Sequence, residues 1–242
     1  MTTWIKLSFI ASTVAILTGC GGGGDGSNVT NTDPQGLWTG VASTGYTVNT
    51  AVLETGETWG IYSSGSTIYG ALYGSAVVNG ASVSINGTDF NFVTNRSTSG
   101  NLTGTVQAKS SMSLSGNGVT VPLTYQSSYD TPATAANAMG TWSFVGRSGA
   151  YTLIPGAITI DSNGRFVLNQ TNCITTGSIV PRSGSKNIYN ITLSSIGSGC
   201  AVGQSTLTGV THIDTSVTPN KLLALALTPN KSDGLIVIGT KQ

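Results

Sequence analysis

The chain has 242 residues, of which 38% are hydrophobic, 7% aromatic and only 8% charged, with a formal net charge of +1. Serine, threonine, asparagine and glycine (30, 36, 17 and 33) together make up 116 residues, whereas ordinary soluble domains carry roughly 25% charged side chains. This balance excludes a highly charged disordered chain, a long-helix bundle and an electrostatic nucleic-acid binder; it fits a glycine-punctuated all-β protein.

Lys6 is the only charge among the first twenty residues. The segment from Leu7 to Leu17 is mainly apolar, too short for a membrane helix of about 20 residues and matched to a secretory h-region of ~7–15. Leu17-Thr18-Gly19-Cys20 follows directly, and it resembles the bacterial lipobox. The resemblance implies that residues 1–19 are a lipoprotein signal peptide. It further implies that Cys20 carries diacylglycerol on its thiol and an acyl group on its new amine. In Gram-negative lipoproteins an Asp after that cysteine commonly marks inner-membrane retention; Gly21 stands here, which by resemblance implies the outer membrane. Residues 20–35 then form an acylated Gly-rich tether, whose 21–35 portion reaches roughly 20 Å as a flexible coil. Without Lys6 the mature chain has nine basic and nine acidic side chains, so the lipid, not a polybasic patch, supplies the membrane attachment.

Two similar halves follow. Gly36-Leu-Trp38-Thr returns as Gly140-Thr-Trp142-Ser, Leu102-Thr-Gly104 as Leu207-Thr-Gly209, and Val121-Pro-Leu123-Thr124 as Leu225-Ala-Leu227-Thr228, at offsets of 104, 105 and 104. Repetition in one order at one offset predicts β lobes at 36–131 and 140–242. The Ala-rich linker 132–139, opened by Pro132, is the one predicted short helix. Two lobes joined in this way are expected to fold independently.

Each lobe shows short strands with turn signals every ~8–12 residues, about eight strands in all, without the long connections that parallel pairing needs. Thr47–Leu53 and Glu57–Tyr62 flank a turn at residues 54–56. Ala157–Ile160 and Arg165–Leu168 flank Asn163-Gly164, and Asn79-Gly80, Asn86-Gly87 and Asn117-Gly118 are further hairpin candidates. The fold class is therefore all-β: two tandem antiparallel lobes, each a small meander barrel or sandwich. A Gly-x-Trp on the first strand resembles the opening of lipocalins and related meander barrels, in which the Trp plugs one end. Trp38, Trp59, Trp142 and Phe166 are the candidate core anchors.

With Cys20 lipidated, Cys173 and Cys200 remain, and in an oxidising exported compartment an even pair reads as a disulfide. The rival readings are a metal pair or a reactive thiol. His212 is the only histidine, and the spacing lacks the usual ligand pairs, so no metal or cofactor is expected. His212 and Asp214 alternate on one strand face. A Ser–His–Asp site needs a positioned nucleophile and an oxyanion hole, and no Gly-x-Ser-x-Gly occurs; a solvated polar face is the preferred reading. Ser183-Gly-Ser-Lys186 lacks the partner motifs of penicillin-recognising enzymes. Asp161-Ser-Asn163-Gly164 lacks the closing Glu of a calcium loop. No carboxylate pair stands out for glycoside hydrolysis. Arg147, Arg165, Arg182 and Lys186 concentrate positive charge in lobe 2; solvated strand edges protected by charge are the preferred reading, with one anion-attracting surface as the alternative.

Leu17–Cys20, the glycine tether, the repeated Gly-x-Trp and the Cys173/Cys200 pair together resemble two-lobed β lipoproteins of Gram-negative bacteria. The resemblance implies fold and address, not activity. The expected function is a non-enzymatic, outer-membrane-anchored lipoprotein presenting two lobes to a protein or surface glycan. The alternatives are a lipocalin-like carrier of a small apolar ligand and, last, a periplasmic hydrolase. Packed interiors would favour the first; an apolar cavity above ~300 Å³ would favour the carrier.

Overall fold

A computed structural model describes residues 30–65, 67–149 and 151–242; Cys20 and the signal segment lie outside the described residues. Lobe 1 is a closed eight-stranded antiparallel barrel, with β1 Gly36–Val41, β2 Thr47–Val52, β3 Glu57–Ser64, β4 Thr67–Asn79, β5 Ser82–Asn91, β6 Arg96–Gln107, β7 Ser111–Gly116 and β8 Val119–Tyr125. Each strand pairs with the next, and β8 returns to β1 through Leu123, Thr124 and Tyr125. Tight turns set the registers. Asn117 and Gly118 both take positive φ between β7 and β8, the backbone that a two-residue hairpin of matched twist requires.

Lobe 2 repeats the meander with β9 Gly140–Ser148, β10 Tyr151–Ile160, β11 Arg165–Gln170, β12 Cys173–Pro181, β13 Tyr189–Ile196, β14 Thr206–Asp214, β15 Lys221–Leu227 and β16 Gly234–Lys241. Its first and last strands pair, as in lobe 1. The sheet instead stops between β10 and β11. The turn foreseen at residues 161–164 does form, with the Asp161 carboxylate accepting from the main-chain N–H groups of Asn163 and Arg165 at 2.8 Å. The ladder does not continue past it, so this hairpin expectation holds for the turn alone. Asn86-Gly87 is a second correction. Both residues lie inside β5, where Gly87 faces Gly74 on one side and Gly100 on the other. A side chain at Gly87 would strike the Tyr73 carbonyl oxygen, so glycine here serves close strand approach rather than a turn.

The repeat has a physical basis in two of its three matches. Trp38 and Trp142 are each 1% exposed. Each donates its indole N–H to the carbonyl four residues back, Pro34 at 3.0 Å and Ala138 at 2.8 Å. Gly104 and Gly209 lie on the sixth strand of their lobes, where a Cβ would run into the carbonyl oxygens of Ser113 and Leu225 respectively. The third match falls on non-equivalent strands, β8 and β15, and so reflects shared apolar composition rather than shared position.

Between the lobes a 3₁₀ turn, Ser127–Asp130, precedes helix α1, Ala135–Ala138. The Thr134 hydroxyl caps α1 by accepting from the Asn137 N–H at 3.2 Å. The lobes are not separate bodies. Leu37, Ala51, Trp59 and Ile61 on the outside of lobe 1 share one apolar cluster with Val210, Leu225, Leu227 and Ile236 on the outside of lobe 2. Strand β15 is consequently covered on both faces: Leu222, Ala224 and Ala226 point into lobe 2, whereas Leu225 and Leu227 point into the joint. A strand buried twice reads as a continuous apolar run, which Leu222–Leu227 is. Trp59 thus anchors the joint rather than the interior of its own barrel.

Candidate functional site: a calyx in lobe 1

Alternation along the strands decides what faces the barrel axis. On β5 the inward positions are Val83, Ile85, Gly87, Asp89 and Asn91. Their partners on β6 are Gly104, Leu102, Gly100, Thr98 and Arg96. One half of the barrel is filled by Trp38, Val52, Val83, Val106 and Met112. In the other half the inward positions of one row are glycines, Gly74, Gly87 and Gly100 on β4, β5 and β6, and Gly116 on β7 adds a fourth bare position to the lining. With no side chains there, the interior opens into a cavity of about 400 Å³. Its apolar lining includes Ile85, Leu102, Leu114, Val121 and Leu123.

One polar pair stands in this wall. The Tyr62 hydroxyl donates to Asp89 Oδ1 at 2.9 Å. Gly70 makes the reach possible, because a Cβ at that position would overlap the Tyr62 hydroxyl and Cζ. Burial pushes the Asp89 carboxyl above the usual carboxylate range, against the lowering effect of the Tyr62 hydrogen bond. Burial, with the Asp89 charge second, pushes the Tyr62 phenol well above its ordinary value, so Tyr62 remains a neutral donor. Tyr46 stands 5.8 Å from Tyr62 and 4.7 Å from Tyr69, ring centre to ring centre. Among the described lining residues there is no lysine, arginine or histidine, and Asp89 is the one carboxylate.

Two other cavities differ from this one. A cleft of about 220 Å³ lies between the lobes and is lined by Thr39, Asn49, Gln126, His212 and Asp214. His212 and Asp214 therefore do not form the expected solvated face. They are half-buried on the side of β14 that meets lobe 1, and burial lowers the His212 pKa to about 4, opposed by the Asp214 charge. The interior of lobe 2 retains only about 80 Å³. Phe166 is 7% exposed in that interior, and Cys173 and Cys200 form the expected disulfide at its margin.

The four basic residues of lobe 2 do not gather on one anion-attracting surface, the less favoured of the two readings, and only in part do they stand on solvated strand edges. Arg147 is buried in the joint. Arg182 is paired with Glu54 of lobe 1 at 2.6 Å and Lys186 with Asp130 at 2.7 Å; only Arg165 stands exposed on its strand. Among the described residues, no group of three or more His, Cys, Asp or Glu could hold a metal ion.

Sequence reasoning missed Tyr62 and Asp89. The signal was the parity of β5: reading 82–91 as one strand puts Val83, Ile85, Gly87 and Asp89 on a single face. Reading Asn86-Gly87 as a turn hid it. No protein-family model, curated protein or solved structure matches this chain.

Proposed function

We propose that the protein is a carrier: an outer-membrane-anchored lipoprotein that holds a small, largely apolar molecule in the calyx of lobe 1. The observation that carries this reading is the cavity of about 400 Å³, which falls within the ~300–1,000 Å³ range of small-molecule sites and combines an apolar wall with a few placed polar groups. The contrast with lobe 2 supports it. The same meander can be packed nearly solid, so the glycine layer of lobe 1 is a specific departure. The joint supports it as well, because apolar outer strands of both lobes are used against each other rather than offered to a partner. The anchor rests on the resemblance of Leu17–Cys20 to a lipobox, and Cys20→Ser should leave unprocessed precursor without lipid label.

The test is titration of the full chain with the neutral fluorescent reporter N-phenyl-1-naphthylamine. A calyx gives saturable, blue-shifted emission with one reporter per chain. Emission that rises without saturation, as at a nonspecific surface, overturns the reading.

A protein- or glycan-presenting role has one observation in its favour. Ile174 and Ile196 sit directly opposite each other on the outside of lobe 2, 52% and 68% exposed, with Val167 on the neighbouring strand 55% exposed.

A further inference from the structure

We propose that the lobe 1 calyx selects an organic cation, a primary amine on a compact apolar body, with Asp89 as counter-ion and the Tyr62 and Tyr46 rings beside it; the inference rests on the carrier reading of the same cavity. Asp89 points inward by the register that also directs Ile85 and Gly87 inward. Its Oδ1 accepts from Tyr62, and among the described residues no second hydrogen bond meets the carboxylate. Tyr62 is a neutral partner. Asp89 is half-buried, and a carboxylate partly withdrawn from water gains from a cation brought into the cavity beside it.

The protein's own cations are engaged elsewhere or stand outside the cavity. Arg147, whose charge is felt at Tyr62, donates to the carbonyl oxygens of Ile68 and Phe92. Lys109 and Lys186 share Asp130, and Lys231 lies over the outward-facing Trp59 and Tyr73 rings. Arg96 sits at the rim opposite Asn91, exposed and outside the lining.

An ammonium group matches what remains. It would donate to the free Asp89 oxygen as a charge-assisted bond, and the faces of tyrosine rings attract cations. Leu102, Leu114 and Leu123 line the part of the cavity that would take the apolar body. A free carboxylic acid would set like charge against Asp89 and is disfavoured. A neutral alcohol could occupy the same space without the ion pair.

Calorimetric titration of the full chain with 2-phenylethylamine, 2-phenylethanol and 3-phenylpropionate separates these cases. The expected order is amine at least tenfold tighter than alcohol, with the acid weakest. Asp89→Asn keeps an acceptor for Tyr62; it should bring the amine down to the affinity of the alcohol and leave the alcohol unchanged. Wild-type protein gives an independent readout, since the amine stays charged on acidification. Its affinity should fall as Asp89 takes up a proton, while that of the alcohol stays flat. Reporter binding without a preference for the amine, or an amine affinity untouched by both Asp89→Asn and acid, overturns the cation and leaves the calyx standing. Failure of the reporter and all three probes overturns both.

Discussion

The guanidinium of Arg147, on the first strand of lobe 2, donates to the main-chain oxygen of Phe92 in lobe 1 at 3.2 Å and lies 5.7 Å from the centre of the Phe92 ring. It also donates to the carbonyl oxygen of Ile68, which borders the bulge in the β3–β4 ladder. One side chain, 8% exposed, therefore satisfies two carbonyls of the other lobe. Hydrogen bonds to a charged group are worth about 1.5–3 kcal/mol each, and stranding buried acceptors adds a desolvation cost. Arg147→Met should lower the unfolding free energy by roughly 2–4 kcal/mol, read by urea denaturation. A change within 0.5 kcal/mol would mean that the joint gains nothing from this contact.

The joint changes what cutting the linker should do. Cleavage within residues 132–139 severs the chain but leaves the shared cluster around Trp59, Leu225 and Ile236, the Arg182–Glu54 pair and the Asn187 N–H bond to the Tyr129 carbonyl oxygen at 2.9 Å. The nicked protein should elute as one species in size-exclusion chromatography. Two separated halves, each retaining its own melting transition, would restore the view of independent lobes.

Much of this architecture was legible from local chemistry. Asn117-Gly118 encodes its hairpin because both residues must take positive φ, and the Trp38/Trp142 repeat marks the first strand of each lobe. The pairing of the lobes was harder to read. Trp59 on β3 and Leu225 on β15 look like ordinary strand residues, and only tertiary placement shows that their outward faces meet. The calyx was hidden for a related reason. A cavity is made by what is missing, and Gly87 beside Asn86 carries the same two letters as a turn.

His212 makes stability depend on pH in a defined direction. Its folded pKa is lowered to about 4 from an ordinary 6.5 by burial against lobe 1. Between those values the unfolded chain binds more protons, so stability is full above about pH 6.5 and falls as the pH drops toward 4. Tm should decline on the order of 5 °C across that window, and His212→Gln should flatten it. Asp130 acts later. Lys186, then Lys109, hold its carboxyl at about 2, so its contribution disappears only as the pH falls from about 4 toward 2. A decline between pH 6.5 and 4 that survives His212→Gln would assign the effect to another group.

The disulfide lies where lobe 2 is least closed. Cys173 begins β12, beside the edge strand β11, and its partner Cys200 is 27 residues away, beyond β13. A loop of that size is worth about 3–4 kcal/mol in the chain-entropy model. Lobe 1 closes its ladder fully and has no cysteine in residues 36–131. Reduction should therefore lower Tm by on the order of 10 °C, and early hydrogen exchange should appear in β11–β13 while lobe 1 stays protected. Equal loss of protection in both lobes would mean that the joint, not the staple, limits stability.

Gly100 offers the sharpest separation of binding from stability. It faces the calyx, and a Cβ there would approach only the Asn117 side-chain nitrogen, at 3.3 Å, an exposed group able to swing aside. Glycine within a strand sacrifices packing and chain entropy, whereas aromatic residues favour strands. Gly100→Phe would project a ring into the cavity of about 400 Å³ and cover apolar surface that is now open. Binding of the naphthylamine reporter should drop at least tenfold while Tm holds or rises. The same exchange at Gly87 is a control of opposite sign, because a side chain there meets main-chain oxygen rather than space; Gly87→Phe should destabilise the barrel. Reporter affinity unchanged in a folded Gly100→Phe protein would place the bound molecule outside lobe 1 and sink the calyx as the binding site.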